Sequence, residues 1–303
     1  MKKISMMLFG AMIALSAIAQ TNQNGENYVK GEWRVDSTLT TRSDGSFKSK
    51  QVIKYTEAGL ISEILGEEAN GDDTYKTKTT YTYNEQGQLA TQESYELKDG
   101  EYSLLSKSEV KEYDSENGMP KVIVSTSSTA PGTIDIGLST SKTVITKWHG
   151  NQFEEEEVYV QLGEEWKKLS TVKVTFDDAD QMVKMVTESE VVGVSMTTEV
   201  TYEYDAHGYP TKETTKTSLG TNAVMTYANE YDENDNLVKV TSTIEGNSTI
   251  EYYYWSRGGA AGIDGVKADG GALQWFDLRG HRLAAKPTSK GIYIHDGKKM
   301  IVK

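Results

Sequence analysis

The sequence predicts an all-β protein: an antiparallel meander of about seven or eight β-hairpin repeats that forms a large twisted or curled sheet, followed by a small C-terminal β module. Three observations predict this fold class. A turn motif recurs about every 28 residues along the chain. The segments between the turns alternate apolar and polar residues, as strands do. No segment after the first 19 residues has the periodicity of an amphipathic helix.

The recurring turn begins with an aromatic residue, and Gly, Asn or Asp follows four positions later. The aromatic residues of the clear copies are Tyr55, Tyr83, Tyr113, Phe176, Tyr204 and Tyr231. Their spacings are 28, 30, 63, 28 and 27 residues, and a degenerate copy at Trp148 divides the long gap. Gly, Asn and Asp tolerate positive φ, and an Asp or Asn side chain caps a tight turn. A second set of turns, such as residues 98–101, lies between these copies, so each period contains one hairpin.

The segments between the turns have the composition of half-buried strands. Val200, Tyr202 and Tyr204 share one face of their segment, while Thr and Glu occupy the other face. Such two-residue alternation of β-branched and aromatic residues predicts antiparallel strands. About sixteen candidate strands lie between Arg34 and Ser256.

The two ends of the chain differ from this body. Residues 1–19 have a short basic start, an apolar run and small residues at Ala17 and Ala19, which is the layout of a signal peptide. Residues 20–256 form the predicted hairpin-repeat domain. Gly-rich residues 257–271 are expected to be a flexible linker. Residues 272–303 form the predicted C-terminal β module.

Composition excludes several classes of partner and site. The chain has no cysteine, so disulfides and thiolate metal sites are excluded. Without its two signal-peptide lysines the chain has a net charge of 30 − 45 = −15. A protein of this charge is repelled by nucleic acids and by acidic membrane surfaces. We therefore expect no nucleic-acid partner.

The turn pattern resembles the tyrosine–aspartate (YD) repeats of large bacterial surface and toxin-shell proteins. The copies at Tyr83, Tyr204 and Tyr231 match that pattern best, and the likeness extends from Tyr55 to about Ile244. The resemblance implies a hairpin-repeat architecture and a surface location. It implies no activity, because the chain lacks the toxin cargo.

The C-terminal module resembles the sorting signal of type IX secretion substrates. The residues that carry this resemblance are Trp275, Asp277, Gly280, Arg282, Gly291, Tyr293, Lys298 and Lys299. The resemblance implies export and secretion machinery as partners and display at the cell surface. The alternative is a pair of C-terminal hairpins that covers a sheet edge.

Catalytic and metal-binding motifs are missing from the sequence. The four histidines are scattered, and no zinc, nucleophile-elbow or phosphate-loop motif occurs. We therefore expect no enzyme, no catalytic residues, no cofactor and no metal site. A calcium site at Asp177, Asp178 and Asp180 is the weaker alternative to solvated turn carboxylates. The acidic run Glu154 to Glu157 is interpreted as a solvated edge or face, because neighbouring strand residues point to opposite faces.

Tyrosines that recur at equivalent hairpin positions are the candidate binding face. They are Tyr81, Tyr83, Tyr202, Tyr204, Tyr227, Tyr231, Tyr252 and Tyr254. As a ladder of rings they would pack against one another, which is the simpler interpretation, or bind sugars or a partner protein.

These observations favour a secreted or cell-surface, non-catalytic binding or structural protein, with surface glycans or proteins as ligands. Its membrane association would come only from surface anchoring, and its location would be periplasmic if the C-terminal tail does not act as a sorting signal. One alternative is an outer-membrane β-barrel. Against it, residues 211–218 have no apolar face, and Glu93 lies within the apolar face of its strand. A further alternative is an extracellular glycan hydrolase, which needs two carboxylates in a cleft.

Overall fold

A computed structural model describes residues 29–30, 33–70, 73–128, 140–191, 193–257, 275–276, 282–283, 291–295 and 298–302. The predicted signal peptide, residues 1–19, lies outside this described part. The chain consists of two compact units, the first ending at Ala260 and the second beginning at Ala261, within the predicted linker. No helix in the described part is long and apolar enough to cross a membrane.

The described residues of the first unit form one two-residue strand and sixteen long ones. They are β1 (Val29–Lys30), β2 (Trp33–Arg42), β3 (Phe47–Tyr55), β4 (Ile61–Asn70), β5 (Asp73–Tyr83), β6 (Leu89–Lys98), β7 (Glu101–Tyr113), β8 (Pro120–Ser127), β9 (Thr140–His149), β10 (Gln152–Leu162), β11 (Glu165–Phe176), β12 (Met182–Val191), β13 (Val194–Tyr204), β14 (Pro210–Thr217), β15 (Asn222–Tyr231), β16 (Leu237–Ile244) and β17 (Asn247–Arg257). The all-β prediction is confirmed.

The strands β2 to β17 form a closed antiparallel barrel. Each strand pairs with the next one along the chain, and β17 then pairs with β2, where Tyr252 lies opposite Leu39. The prediction of a large twisted or curled open sheet is therefore wrong. Closure gives hydrogen-bond partners to both edges that an open meander of sixteen strands would leave unpaired.

One face of the strands is much more buried than the other. Among the described side chains, those on strands with 2% exposure or less are Val35, Thr38, Ile53, Ile123, Thr143, Ile145, Glu156 and Val158. The strand register connects this face around the barrel: Ile123 lies opposite Thr143, which lies opposite Val158. Side chains converge on the concave side of a closed barrel and spread apart on its convex side. The buried face is therefore the interior.

The recurring aromatic residues all lie at one end of the barrel, which we call the aromatic rim. Tyr55, Tyr83 and Tyr204 are each the last residue of their strand. Their hydroxyl groups donate to the backbone carbonyls of Val35 (2.8 Å), Ile61 (2.7 Å) and Met182 (2.5 Å), respectively. Each acceptor lies on the preceding strand, 20 to 22 residues earlier, so the bond joins two neighbouring strands.

The turns of the aromatic rim use the chemistry that the motif predicts. The side chain of Asp205 accepts the backbone N–H groups of His207 (2.9 Å) and Tyr209 (3.0 Å). The chain then reverses through Gly208, whose φ is +83°. In the copy at Tyr231 the corresponding position is Asp235, with φ of +59°. Glycine and aspartate occupy these positions because most other side chains clash with the backbone at positive φ.

The described part of the second unit forms four short strands. They are β18 (Trp275–Phe276), β19 (Arg282–Leu283), β20 (Gly291–His295) and β21 (Lys298–Val302). Their order in the sheet is β19-β18-β20-β21. Most positions of the proposed sorting motif fall in these strands, while Asp277 and Gly280 lie outside the described residues.

Candidate binding site in the barrel interior

The candidate tyrosines do not share one face. The strand register directs Tyr81, Tyr83, Tyr202, Tyr204, Tyr227 and Tyr231 to the interior. It directs Tyr252 and Tyr254 outward, because their neighbour Glu251 lies opposite Val240 and Thr40 on the inward face. Of the three consecutive tyrosines in β17, only Tyr253 points inward.

The inward tyrosines also form two groups rather than a continuous ladder. Tyr81 and Tyr83 lie on β5, whereas Tyr202 and Tyr204 lie on β13. These strands are eight positions apart in a closed ring of sixteen, so the two groups face each other from opposite walls. An open sheet would have kept all of these rings on one surface.

On the β13 wall, the inward group contains a carboxylate. Glu213 lies directly opposite Tyr202 across the β13–β14 pair. Its two oxygens accept long hydrogen bonds, one from the Tyr227 hydroxyl (3.3 Å) and one from the Thr215 hydroxyl (3.4 Å). The Tyr202 ring also lies beside Tyr204, with 6.4 Å between ring centroids. Glu213 therefore has tyrosine rings on both sides.

The charge of Glu213 acts on both flanking phenols. Burial, together with the negative charge and hydrogen bond of Glu213, raises the pKa of Tyr227 to about 12. Burial also raises the pKa of Tyr202, with Glu213 as the second cause. Both phenols stay protonated at neutral pH, so the group consists of neutral aromatic rings around one carboxylate.

No cation of the described chain neutralises Glu213. The ion pairs of lysine with glutamate in this part lie on the outward face, as in Lys184–Glu199 (2.5 Å) and Lys212–Glu203 (2.7 Å). Lys212 is the direct neighbour of Glu213 on β14, but alternation sends its side chain to the other face. The outward face is therefore charge-balanced by pairs, and the inward carboxylate is not.

A second inward carboxylate, Glu156, is buried among apolar side chains. It lies opposite Ile145 on β9 and Val172 on β11, and it is 1% exposed. Its Oε2 atom makes no hydrogen bond. This burial raises the pKa of Glu156 to about 7. The interpretation of the acidic run as solvated is therefore wrong at Glu156, whereas its neighbour Glu157 faces outward and pairs with Lys168 (3.0 Å).

In the acidic turn at Asp177 and Asp180, the predicted alternative for calcium, the carboxylates make other contacts. Asp177 accepts the backbone N–H groups of Ala179 and Gln181, both at 2.9 Å. Asp180 contacts the imidazole of His149 at 2.8 Å. Within the described ranges, no three carboxylate or imidazole groups converge as metal ligands.

Sequence reasoning missed Glu156 and Glu213, although the signal for Glu156 was present. Val158 and Val160 follow it at two-residue spacing, so alternation alone places Glu156 on their face. Glu213 had no such signal. Its strand reads Pro-Thr-Lys-Glu-Thr-Thr-Lys-Thr, in which neither face is apolar, so only pairing with β13 and β15 shows which face is inward.

No protein-family model matches the sequence. No curated protein matches it either. Among solved structures, a porin-like protein from Bacteroides uniformis ATCC 8492 is similar at 10% identity and a TM-score of 0.46, covering 73% of this chain and 98% of that one. A porin-like protein from Bacteroides vulgatus ATCC 8482 is similar at 10% identity and a TM-score of 0.40, covering 74% of this chain and 98% of that one.

A Tc holotoxin pore of Photorhabdus luminescens is similar at 12% identity and a TM-score of 0.27, covering 76% of this chain and 17% of that one. These scores are low, so the barrel assignment rests on the strand pairings of the chain itself.

The assignments to YD-repeat proteins and to type IX secretion are not retained. They conflict with the closed barrel. The physical reason concerns the sheet edges. A repeat shell grows by adding hairpins to a free edge, whereas the pairing of β17 with β2 leaves the meander without one. The closed ring of strands therefore argues against an open, repeat-built binding surface.

Proposed function

We propose that this chain is a non-catalytic β-barrel protein of the cell envelope, located at the outer cell surface, whose outward face meets water and whose interior binds a ligand. The observation that carries this proposal is the division of side chains between the two barrel faces. Lysine–glutamate pairs lie on the outward face, while the inward face combines buried apolar residues such as Ile53 and Ile145 with tyrosines and the carboxylates of Glu156 and Glu213.

The outward pairs are spread around the barrel rather than gathered at one side. Lys54–Glu63 joins β3 and β4, Lys107–Glu93 joins β6 and β7, and Lys168–Glu157 joins β10 and β11. Lys184–Glu199 and Lys239–Glu230 continue the series on β12–β13 and β15–β16. At the middle of a bilayer, one lipid-facing lysine costs about 2–4 kcal/mol. Summed over the lysines of several strands, this cost favours water rather than lipid as the solvent of the outward face.

Solvent access inside the barrel supports a binding role. The inward side chains of β14 and β15, including Glu213 and Tyr227, are only half-buried although the sheet closes around them. A barrel interior filled by side chains would leave them without accessible surface. Solvent therefore reaches these groups from inside the barrel.

Extraction of membranes from cells that produce the full chain tests the proposal. We expect the protein to be released by alkaline carbonate or urea without detergent, and to keep a β-rich circular dichroism spectrum afterwards. The double variant Lys184→Leu and Glu199→Leu serves as the matched control. In water, it exposes two apolar side chains and lowers solubility. In lipid, it would strengthen membrane retention, and that result would contradict the proposal.

Insertion into the outer membrane is the second candidate. The specific observation in its favour is the architecture: a closed, even-numbered, antiparallel ring of strands that are 8 to 13 residues long. Membrane-spanning barrels have these properties. Release of the protein only by detergent, together with heat-dependent migration on a gel, would favour this candidate over a water-exposed barrel.

A further inference from the structure

We infer that Glu213, Tyr202 and Tyr227 form a binding site for an organic cation inside the barrel. This inference rests on the proposed interior binding role and names the class of ligand. Three properties of the group lead to it: an unneutralised charge, flanking aromatic rings and partial solvent exposure.

The charge of Glu213 is the first property. Its oxygens accept hydrogen bonds only at 3.3 and 3.4 Å, both from neutral hydroxyl groups. A carboxylate forms shorter and stronger bonds with a cationic donor. The lysines on either side along β14, Lys212 and Lys216, point away from the interior. A ligand that carries a positive charge would supply the missing partner.

The rings are the second property. Tyr202 stands opposite Glu213 on β13, and Tyr227 approaches it from β15 on the other side. Aromatic faces attract cations through the ring quadrupole, and recognition of quaternary ammonium groups commonly uses such rings. A carboxylate between two rings therefore suits an ammonium group with an alkyl shell better than a bare metal ion. Calcium, for comparison, needs six to eight oxygen ligands.

Partial solvent exposure beside a flexible apolar side chain is the third property. Met225 lies beside Glu213 on β15, in the same inward row as Tyr202. All of these side chains keep partial solvent exposure within the closed barrel. The methionine side chain adapts its shape to irregular apolar groups, so the site combines the flexible apolar side chain of Met225 with the carboxylate of Glu213.

Choline is a suitable probe, and 3,3-dimethylbutan-1-ol is its uncharged control of the same shape. We expect choline to bind the full-length protein saturably in isothermal titration calorimetry, and the neutral alcohol to bind at least about tenfold more weakly, because it gains neither charge attraction nor cation–π contact. Equal affinity for the two probes, or no binding of choline, would overturn the inference. Binding of neutral oligosaccharides alone would do the same.

Three variants locate the site. Glu213→Gln keeps the shape of the side chain and is expected to weaken choline binding by about tenfold or more. Tyr202→Leu removes a ring and should weaken it severalfold, whereas Tyr202→Phe should retain most of it. Glu251→Gln is the matched control, because Glu251 also points inward but accepts its tyrosine bond from Tyr253 on its own strand (3.0 Å).

Circular dichroism and thermal melts show whether each variant is folded. If Glu213→Gln and Glu251→Gln weaken binding equally, the cation is held by the general interior charge, and the site assignment is wrong. The result is independent of the extraction experiment, because choline titration gives the same comparison in buffer or in detergent.

Discussion

Replacing Glu156 with glutamine should stabilise the barrel at alkaline pH and leave it almost unchanged at acidic pH. The Glu156 carboxyl lies between Ile145 and Val172, and burial raises its pKa from the ordinary value of 4.5 to about 7. Below pH 4.5 this carboxyl is protonated in both the folded and the unfolded chain. Between pH 4.5 and 7 the unfolded chain releases the proton and the folded chain keeps it, so stability falls as the pH rises.

The size of this effect follows from the same interval. A pKa difference of one unit corresponds to 1.36 kcal/mol, so a shift from 4.5 to about 7 destabilises the folded chain by about 3 kcal/mol. This loss of stability is complete above pH 7. Glutamine has nearly the same shape and no charge. We therefore expect Glu156→Gln to raise the free energy of unfolding by up to about 3 kcal/mol at pH 8 and by little at pH 4.5.

Urea unfolding followed by tryptophan fluorescence at both pH values measures the difference. Glu157→Gln is the control, because it changes the next residue of β10 on the opposite face. The hydrogen bond from Tyr159 and the contact with Lys168 lower the pKa of Glu157. This control should therefore lose a small amount of stability at pH 8, below about 1 kcal/mol. A loss in Glu156→Gln at both pH values would refute the account of a buried, uncompensated carboxyl.

Three further predictions concern the aromatic rim. Tyr204→Phe deletes the hydroxyl that donates to the Met182 carbonyl and should cost about 0.5–1.5 kcal/mol in chemical unfolding, whereas Tyr102→Phe, on an exposed ring, should cost almost nothing. Gly87→Ala should lower stability by about 1 kcal/mol through backbone strain alone, because φ is +76° and an added Cβ would touch nothing. Gly87→Asn should lower stability less, since asparagine tolerates positive φ better than alanine does. Equal losses in the two variants would exclude strain as the cause. At Asp205, burial raises the pKa, but hydrogen bonds from Tyr231 and Asn229 outweigh burial, so the net pKa lies below the ordinary value of 3.8. The wild type therefore loses stability as the pH falls below 3.8. Asp205→Asn should flatten that acid transition, and an unchanged transition would contradict the assigned bonds.

The bonds at the aromatic rim suggest how a short local motif contributes to a closed fold. Each hydroxyl of Tyr55, Tyr83 and Tyr204 donates to a carbonyl on the preceding strand. The Trp255 Nε1–H group repeats this geometry by donating to the Leu237 carbonyl (2.7 Å) in the last hairpin. At Tyr231 the hydroxyl instead donates to Asp205 (2.5 Å). Each bond to a backbone carbonyl fixes the stagger between two neighbouring strands, and a consistent stagger is a condition for closing a barrel.

Much of the fold could be predicted because it is local in sequence. The strand ends at Tyr55 and Tyr204 follow from a turn whose aspartate or glycine must reverse the chain within about five residues. The alternation of Val200 and Tyr202 with Glu199 and Thr201 predicts strands in the same way. Such patterns act over two to five residues, so the amino-acid order alone determines them.

Tertiary structure alone decided closure, the inward direction of each strand and therefore the candidate site. Tyr252 meets Leu39 across more than two hundred residues, and no local pattern encodes that pairing. Glu213 lies on a strand whose two faces are equally polar, so its inward direction depends on its neighbours β13 and β15. The physical reason is that a polar strand gains little from either face being buried, so its orientation is set by the hydrogen-bond register of the adjoining strands.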